Sequence, residues 1–109
     1  MATTPKVLGQ SNPSAATLTD AYTVPALTAT TISTITVCNR SSVATQFRIS
    51  VAKLGAADNN VQYLYYDQMV PGNDTFAATI GITLATTDVV RVYAVLATLS
   101  FNIFGIEEA

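Results

Sequence analysis

The chain has 109 residues, half of them hydrophobic and only 11% charged, with a formal net charge of −2 and no histidine. That length supports one domain around one core, and the scattered cations Lys6, Arg40, Arg48, Lys53 and Arg91 form no basic patch for nucleic acid or an anionic membrane. The lone Cys38 permits no internal disulfide, and without histidine it has neither an activating base nor partners for a metal site.

Threonine is the commonest residue, with 17 copies, and Thr, Val and Ile together number 35. Such β-branched enrichment favours strands. Residues 1–5 are small and polar and read as a flexible arm or as the lead-in to a first edge strand around Lys6–Gln10. SNPSAA at 11–16 is turn chemistry. Leu18, Asp20, Tyr22 and Val24 then alternate with threonine and alanine in a strand stopped by Pro25. In Leu27–Asn39, Ile35 and Val37 share a parity that Ile32 does not, which predicts a β-bulge near Ser33 and Thr34 or a strand covered on both faces.

Phe47, Ile49 and Val51 alternate with Arg48, Ser50 and Ala52, the cleanest half-buried strand in the chain. Leu54–Asn60 is a hairpin loop in which Gly55 can take positive φ. Val61–Asp67, VQYLYYD, carries large apolar bodies on both faces. Val70-Pro71-Gly72-Asn73 has the residue pattern of a type II turn with Gly72 third. After Phe76, Ala78 and Ile80, broken by Gly81, comes Asp88–Glu107, the densest apolar stretch, which reads as a C-terminal hairpin. The sum is an all-β, antiparallel β-sandwich, jelly-roll-like, of about eight strands and no substantial helix, forming a single domain over residues 1–109.

The carboxylates fall mostly in or beside turns, where Asp bonds to local backbone. Loop oxygens at Asp58, Asn59 and Asn60 or at Asn73 and Asp74 lack the regular spacing of a dedicated calcium site. No catalytic constellation, cofactor motif or metal cluster emerges, so a non-enzymatic protein without cofactors is expected. Tyr63, Tyr65 and Tyr66 read as core packing or as interface, with sugar stacking as a further use. With Arg91 and Tyr93 they form the candidate interface. No signal peptide or membrane-spanning run is recognisable, so synthesis in a cytoplasm is expected. The low surface charge suggests a subunit whose edges and apolar faces are covered in an assembly.

From Lys6 to Glu107 the chain resembles small structural proteins of tailed bacteriophages and prophages. The resemblance is carried by Gly9-Gln10-Ser11, Tyr22-Thr23-Val24-Pro25, Val37-Cys38-Asn39-Arg40 and Phe104-Gly105, all strand or turn positions. It implies a virion protein, foremost a capsid decoration or cement protein that sits on the head as a homotrimer and bridges major capsid protein subunits. Its alternative is a neck, tail or tail-fibre component contacting other tail proteins or the host surface. A carbohydrate-binding β-sandwich module is the third expectation, resting on the tyrosines alone.

Overall fold

The computed structural model describes residues 2–109. It is all-β and antiparallel, with nine strands: β1 (Thr3–Ser11), β2 (Thr19–Thr23), β3 (Ala29–Asn39), β4 (Thr45–Ala52), β5 (Tyr63–Val70), β6 (Thr75–Ala78), β7 (Ile82–Leu84), β8 (Val89–Ala94) and β9 (Leu99–Glu108). Two short 3-10 turns, at Lys53–Gly55 and Asn60–Gln62, interrupt the β4–β5 loop. The strands form two packed sheets. One is five-stranded, ordered β1-β9-β3-β6 with β7 also on β3; the other runs β2-β8-β4-β5. This interleaved order is compatible with a jelly roll.

Alternation decides what is buried. Ile35 and Val37 of β3 and Leu99, Phe101 and Ile103 of β9 face Phe47 and Ile49 of β4 and Val90, Val92 and Ala94 of β8, all at most 1% exposed. Phe47 sits at the centre, with ring centroids 5.3 Å from Phe76 and 6.0 Å from Phe101. At roughly 25 cal/mol per Å2 of apolar surface, full burial of each such side chain contributes about 1.5–3 kcal/mol.

The expected bulge in β3 is present: pairing with β9 shifts register between Ile32 and Thr34, so Ile32 and Ile35 both reach the core. Four expectations are corrected. Asp88–Glu107 is not a hairpin, because β8 pairs with β2 and β4 while β9 pairs with β1 and β3. Its corner at 95–98 crosses between sheets, which lets the apolar faces of both strands meet across the core. Residues 3–5 are not a flexible arm. Thr3, Thr4 and Pro5 pair with Glu108, Glu107 and Ile106, and Ala2 and Ala109 exchange two backbone hydrogen bonds; Met1 lies outside the described residues.

In β2, a register shift between Asp20 and Tyr22 breaks the simple alternation and leaves Asp20 exposed while Tyr22 is buried. At the β5–β6 turn, positive φ (56°) falls on Asn73 and not on Gly72. Gly72 is required for another reason: a Cβ there would run into the Ser42 carbonyl.

Candidate interaction surface

Residues directly opposite in an antiparallel pair point to the same face. On the outer face of the four-stranded sheet, Arg48 of β4 therefore stands beside Tyr93 of β8, and Ser50 beside Arg91. The opposite flank is irregular. Phe47 pairs with Gln68, Ile49 with Tyr65 and Ser50 with Tyr63, so β5 carries extra residues at two places, and Asp67 takes φ 53°. These bulges divide the tyrosines. Tyr65 turns inward, 6.0 Å from the Phe47 ring and 5.3 Å from Phe76, and so belongs to the core and not to the expected interface. Tyr63 and Tyr66 meet edge to face on the outside, 5.1 Å apart at 87°.

Arg48 organises this surface. Its guanidinium lies 4.1 Å from the Tyr66 ring centroid and 4.4 Å from that of Tyr93. Its Nε donates to Asp67 Oδ1 at 2.7 Å and its Nη2 to Oδ2 at 3.5 Å. The hydrogen bond to Asp67 raises the guanidinium's proton affinity above its ordinary value, so Arg48 stays charged throughout the working range. Tyr63 Oη donates to Asp58 Oδ1 at 2.8 Å; burial first, and this bond second, push its pKa up. Asn60, Tyr63 and Tyr66 line an open hollow of about 360 Å3. Along β5, Leu64, Tyr66 and Met69 stand 43%, 57% and 55% exposed.

Arg91 lies on the same face but is committed inside the chain. Its Nε donates to Asp20 Oδ1 at 3.0 Å, and its Nη1 and Nη2 donate to the carbonyls of Ala56 and Gly55 at 2.8 and 3.2 Å. It fastens the β4–β5 loop to β8 and β2. Of the loop residues weighed for calcium, three are engaged locally: Asp58 Oδ1 accepts from Tyr63 Oη, Asn59 Oδ1 from the Val61 N–H, and Asp74 Oδ1 from that of Thr75. Among the described residues no group of three or more His, Cys, Asp or Glu side chains converges on one point. The surface offers exposed aromatic faces, a fixed cation and paired acids, a set suited to binding.

The structure thus joins Tyr63, Tyr66 and Tyr93 around a residue not among the expected five, Arg48, and adds Asp58 and Asp67. Arg48's place on the polar side of the most regular strand was a usable sign; the bulges that bring Asp67 to it had none. A second polar cluster escaped notice altogether. Glu107 bonds Lys6 Nζ at 2.8 Å and accepts from Tyr22 Oη at 2.6 Å, while Tyr22 Oη also lies 2.8 Å from Thr30 Oγ1, tying β1, β2, β3 and β9 together.

No protein-family model matches the sequence, and comparisons with curated proteins and with solved structures give no match either.

Proposed function

We propose that this chain is a non-enzymatic structural protein of a tailed-phage virion, a decoration or cement protein that stabilises the head through contacts between subunits and assembles as a homotrimer. One observation supports the binding half of this reading above the others: Arg48 stacked between Tyr66 and Tyr93, with Leu64 and Met69 of the same strand as Tyr66 also exposed. Tyr, Met and Arg are the residues enriched in interface cores and hot spots. Asp67 and the two rings already hold the guanidinium, so docking costs less side-chain entropy than ordering a free arginine would. The partner at this surface is the major capsid protein, and the gain is mechanical, with many copies of a modest interface each adding to the stability of the shell. Placement on the head draws on the resemblance to phage structural proteins, for which a neck or tail-fibre position is the alternative.

Quantitative mass spectrometry of purified virions tests this. Hundreds of copies per particle are expected; a few dozen would move the protein to the neck or tail, and absence from virions would overturn the virion reading. Tyr66→Ala and Tyr93→Ala are expected to lower the copy number while leaving the fold intact. A second reading, carbohydrate binding, draws on the hollow formed by Asn60, Tyr63 and Tyr66, where aromatic walls adjoin an amide. Glycan-array binding that is lost in Tyr63→Ala would promote it.

A further inference from the structure

The other outer face, that of the five-stranded sheet, differs in kind. Its composition follows from the pairing register, which arranges the outward side chains in cross-strand rows. Val7, Phe104 and Thr34 form one row; Pro5, Ile106, Thr31 and Thr83 form the next. Gln10, Asn102, Thr36 and Ala77 make a third, and Ser100, Cys38 and Thr75 a fourth. None of these fourteen side chains is charged. The first acid, Glu108, stands at the end of the face between Thr3 and Ala29. Among the described residues no element covers these rows: Val7 is 48% exposed, Thr75, Ala77 and Thr83 are exposed, and Phe104 and Ile106 are half-buried.

The size of this face is that of an interface. β1, β9 and β3, about 4.8 Å apart and nine to eleven residues long at about 3.3 Å each, with the short β6 and β7 both paired beside β3, give a footprint of roughly 600 Å2. Two such faces together reach about 1,200 Å2, where specific, stable protein interfaces begin. Its chemistry selects the occupant. A charged partner surface would lose hydration here without gaining a counter-charge, whereas an equally neutral, threonine-rich surface loses far less and can recover it by pairing hydroxyl with hydroxyl. This chain carries such a surface in every copy.

We propose that the β1-β9-β3-β6 face is where copies of this chain associate, leaving the Arg48–tyrosine surface outward for the capsid. The assignment rests on the homo-oligomer reading above and adds which surface forms it. It also gives the threonine-rich rows a role: β-branched side chains lose little further rotamer freedom when a second layer covers them.

Sedimentation velocity of the full chain, with Cys38 alkylation as a local probe, tests the proposal. The wild type is expected to sediment as an oligomer at high micromolar concentration. Val7→Glu and Thr34→Glu should each weaken association by at least about tenfold with an unchanged β circular-dichroism spectrum, while Lys53→Glu, off both faces, leaves it intact. Maleimide labelling of Cys38 should slow as the wild type is concentrated and should lose that dependence in Val7→Glu. An oligomer that survives both face substitutions overturns this inference and leaves the homo-oligomer reading standing. A wild-type monomer overturns both, while virion copy number still judges the virion role. Should the substituted chains fail to fold, concentration-independent labelling of Cys38 in the wild type overturns the inference.

Discussion

The two outer faces of this sandwich answer the same requirement, covering a two-layer core, by different means. On the five-stranded sheet β9 pairs along nearly its whole length with β1 and β3, with one register shift against each, and the four outward rows hold Thr, Ala, Val, Pro, Phe, Ile, Cys, Ser, Asn and Gln, none of them charged. On the four-stranded sheet β5 is bulged twice, and the outward positions hold Arg48, Asp67, Arg91, Tyr63, Tyr66 and Tyr93, cross-linked by ion pairs and ring stacking. Long pairing with single register shifts gives a neutral surface; the double bulge in β5 draws residues from several strands onto one cation. A neutral surface suits many copies of one partner, whereas a bulged charged one discriminates among partners.

The largest effect expected is on the regular sheet. Gly105 lies in β9 between β1 and β3, and a Cβ there would run into the Thr31 carbonyl and come within 2.9 Å of Ile32 Cα. Both neighbours are backbone of the central strand and cannot move aside as a side chain would. Gly105→Val should therefore cost about 3 kcal/mol or more, read as a lower urea midpoint. If the five-stranded sheet is the platform, loss should be global. Survival of the four-stranded sheet in hydrogen exchange would break the comparison.

The next concerns the seam between the sheets, where Tyr22, Glu107, Lys6 and Thr30 meet. Burial first, and the bond to Glu107 second, push the Tyr22 phenol up to about 12. A pKa above that of the unfolded chain, about 10, gives stability that is complete below pH 10 and lost as pH rises through about 12. Glu107 runs the other way. The Lys6 bond first, and the Tyr22 bond next, hold its carboxyl below the ordinary 4.5, so its contribution is present above that value and disappears as pH falls through the lowered one. Tyr22→Phe is expected to cost about 1–2 kcal/mol at neutral pH and to remove the last-ionising tyrosine from an ultraviolet titration. An unchanged titration would mean that the seam is looser than its distances imply.

Legibility in the sequence followed the same division. The regular sheet was readable: the parity of Ile32 against Ile35 and Val37 located the β3 bulge, and alternation in β9 separated Leu99, Phe101 and Ile103 from Ser100 and Asn102. What periodicity cannot convey is which sheet a strand joins, so the crossing at 95–98 looked like a hairpin corner. The irregular sheet was harder. VQYLYYD is apolar at both parities, so nothing in it shows that Tyr65 turns in while Tyr63 and Tyr66 turn out. Of the expected interface residues, Tyr63, Tyr66 and Tyr93 do share one exposed surface, Tyr65 packs in the core, and Arg91 is held by Asp20 and two loop carbonyls. Their common centre, Arg48, needed the third dimension. Asn39, the last residue of β3, is a buried hub. Its Nδ2 donates to the Val43 carbonyl at 2.8 Å and lies 3.3 Å from those of Val70 and Pro71.

The smallest effect is the most discriminating between the faces. Arg48 and Asp67 form a partly exposed pair, their side chains 24% and 38% accessible. Water screens such pairs, so a double-mutant cycle of Arg48→Ala and Asp67→Ala should give a coupling of only about 0.5–1 kcal/mol, shrinking in high salt. The fold should survive, because the core beneath consists of Phe47, Ile49 and Val92, which do not depend on the pair. Partner binding should suffer more than stability. Without Arg48 the Tyr66 and Tyr93 rings lose the cation that spaces them, and without Asp67 the guanidinium loses its anchor but keeps its stacking. On the proposed virion role, Arg48→Ala should thus reduce incorporation into particles more than Asp67→Ala, at nearly equal stability. Equal losses in the two variants would show that the surface acts through its charge pair and not through its stacked aromatic array.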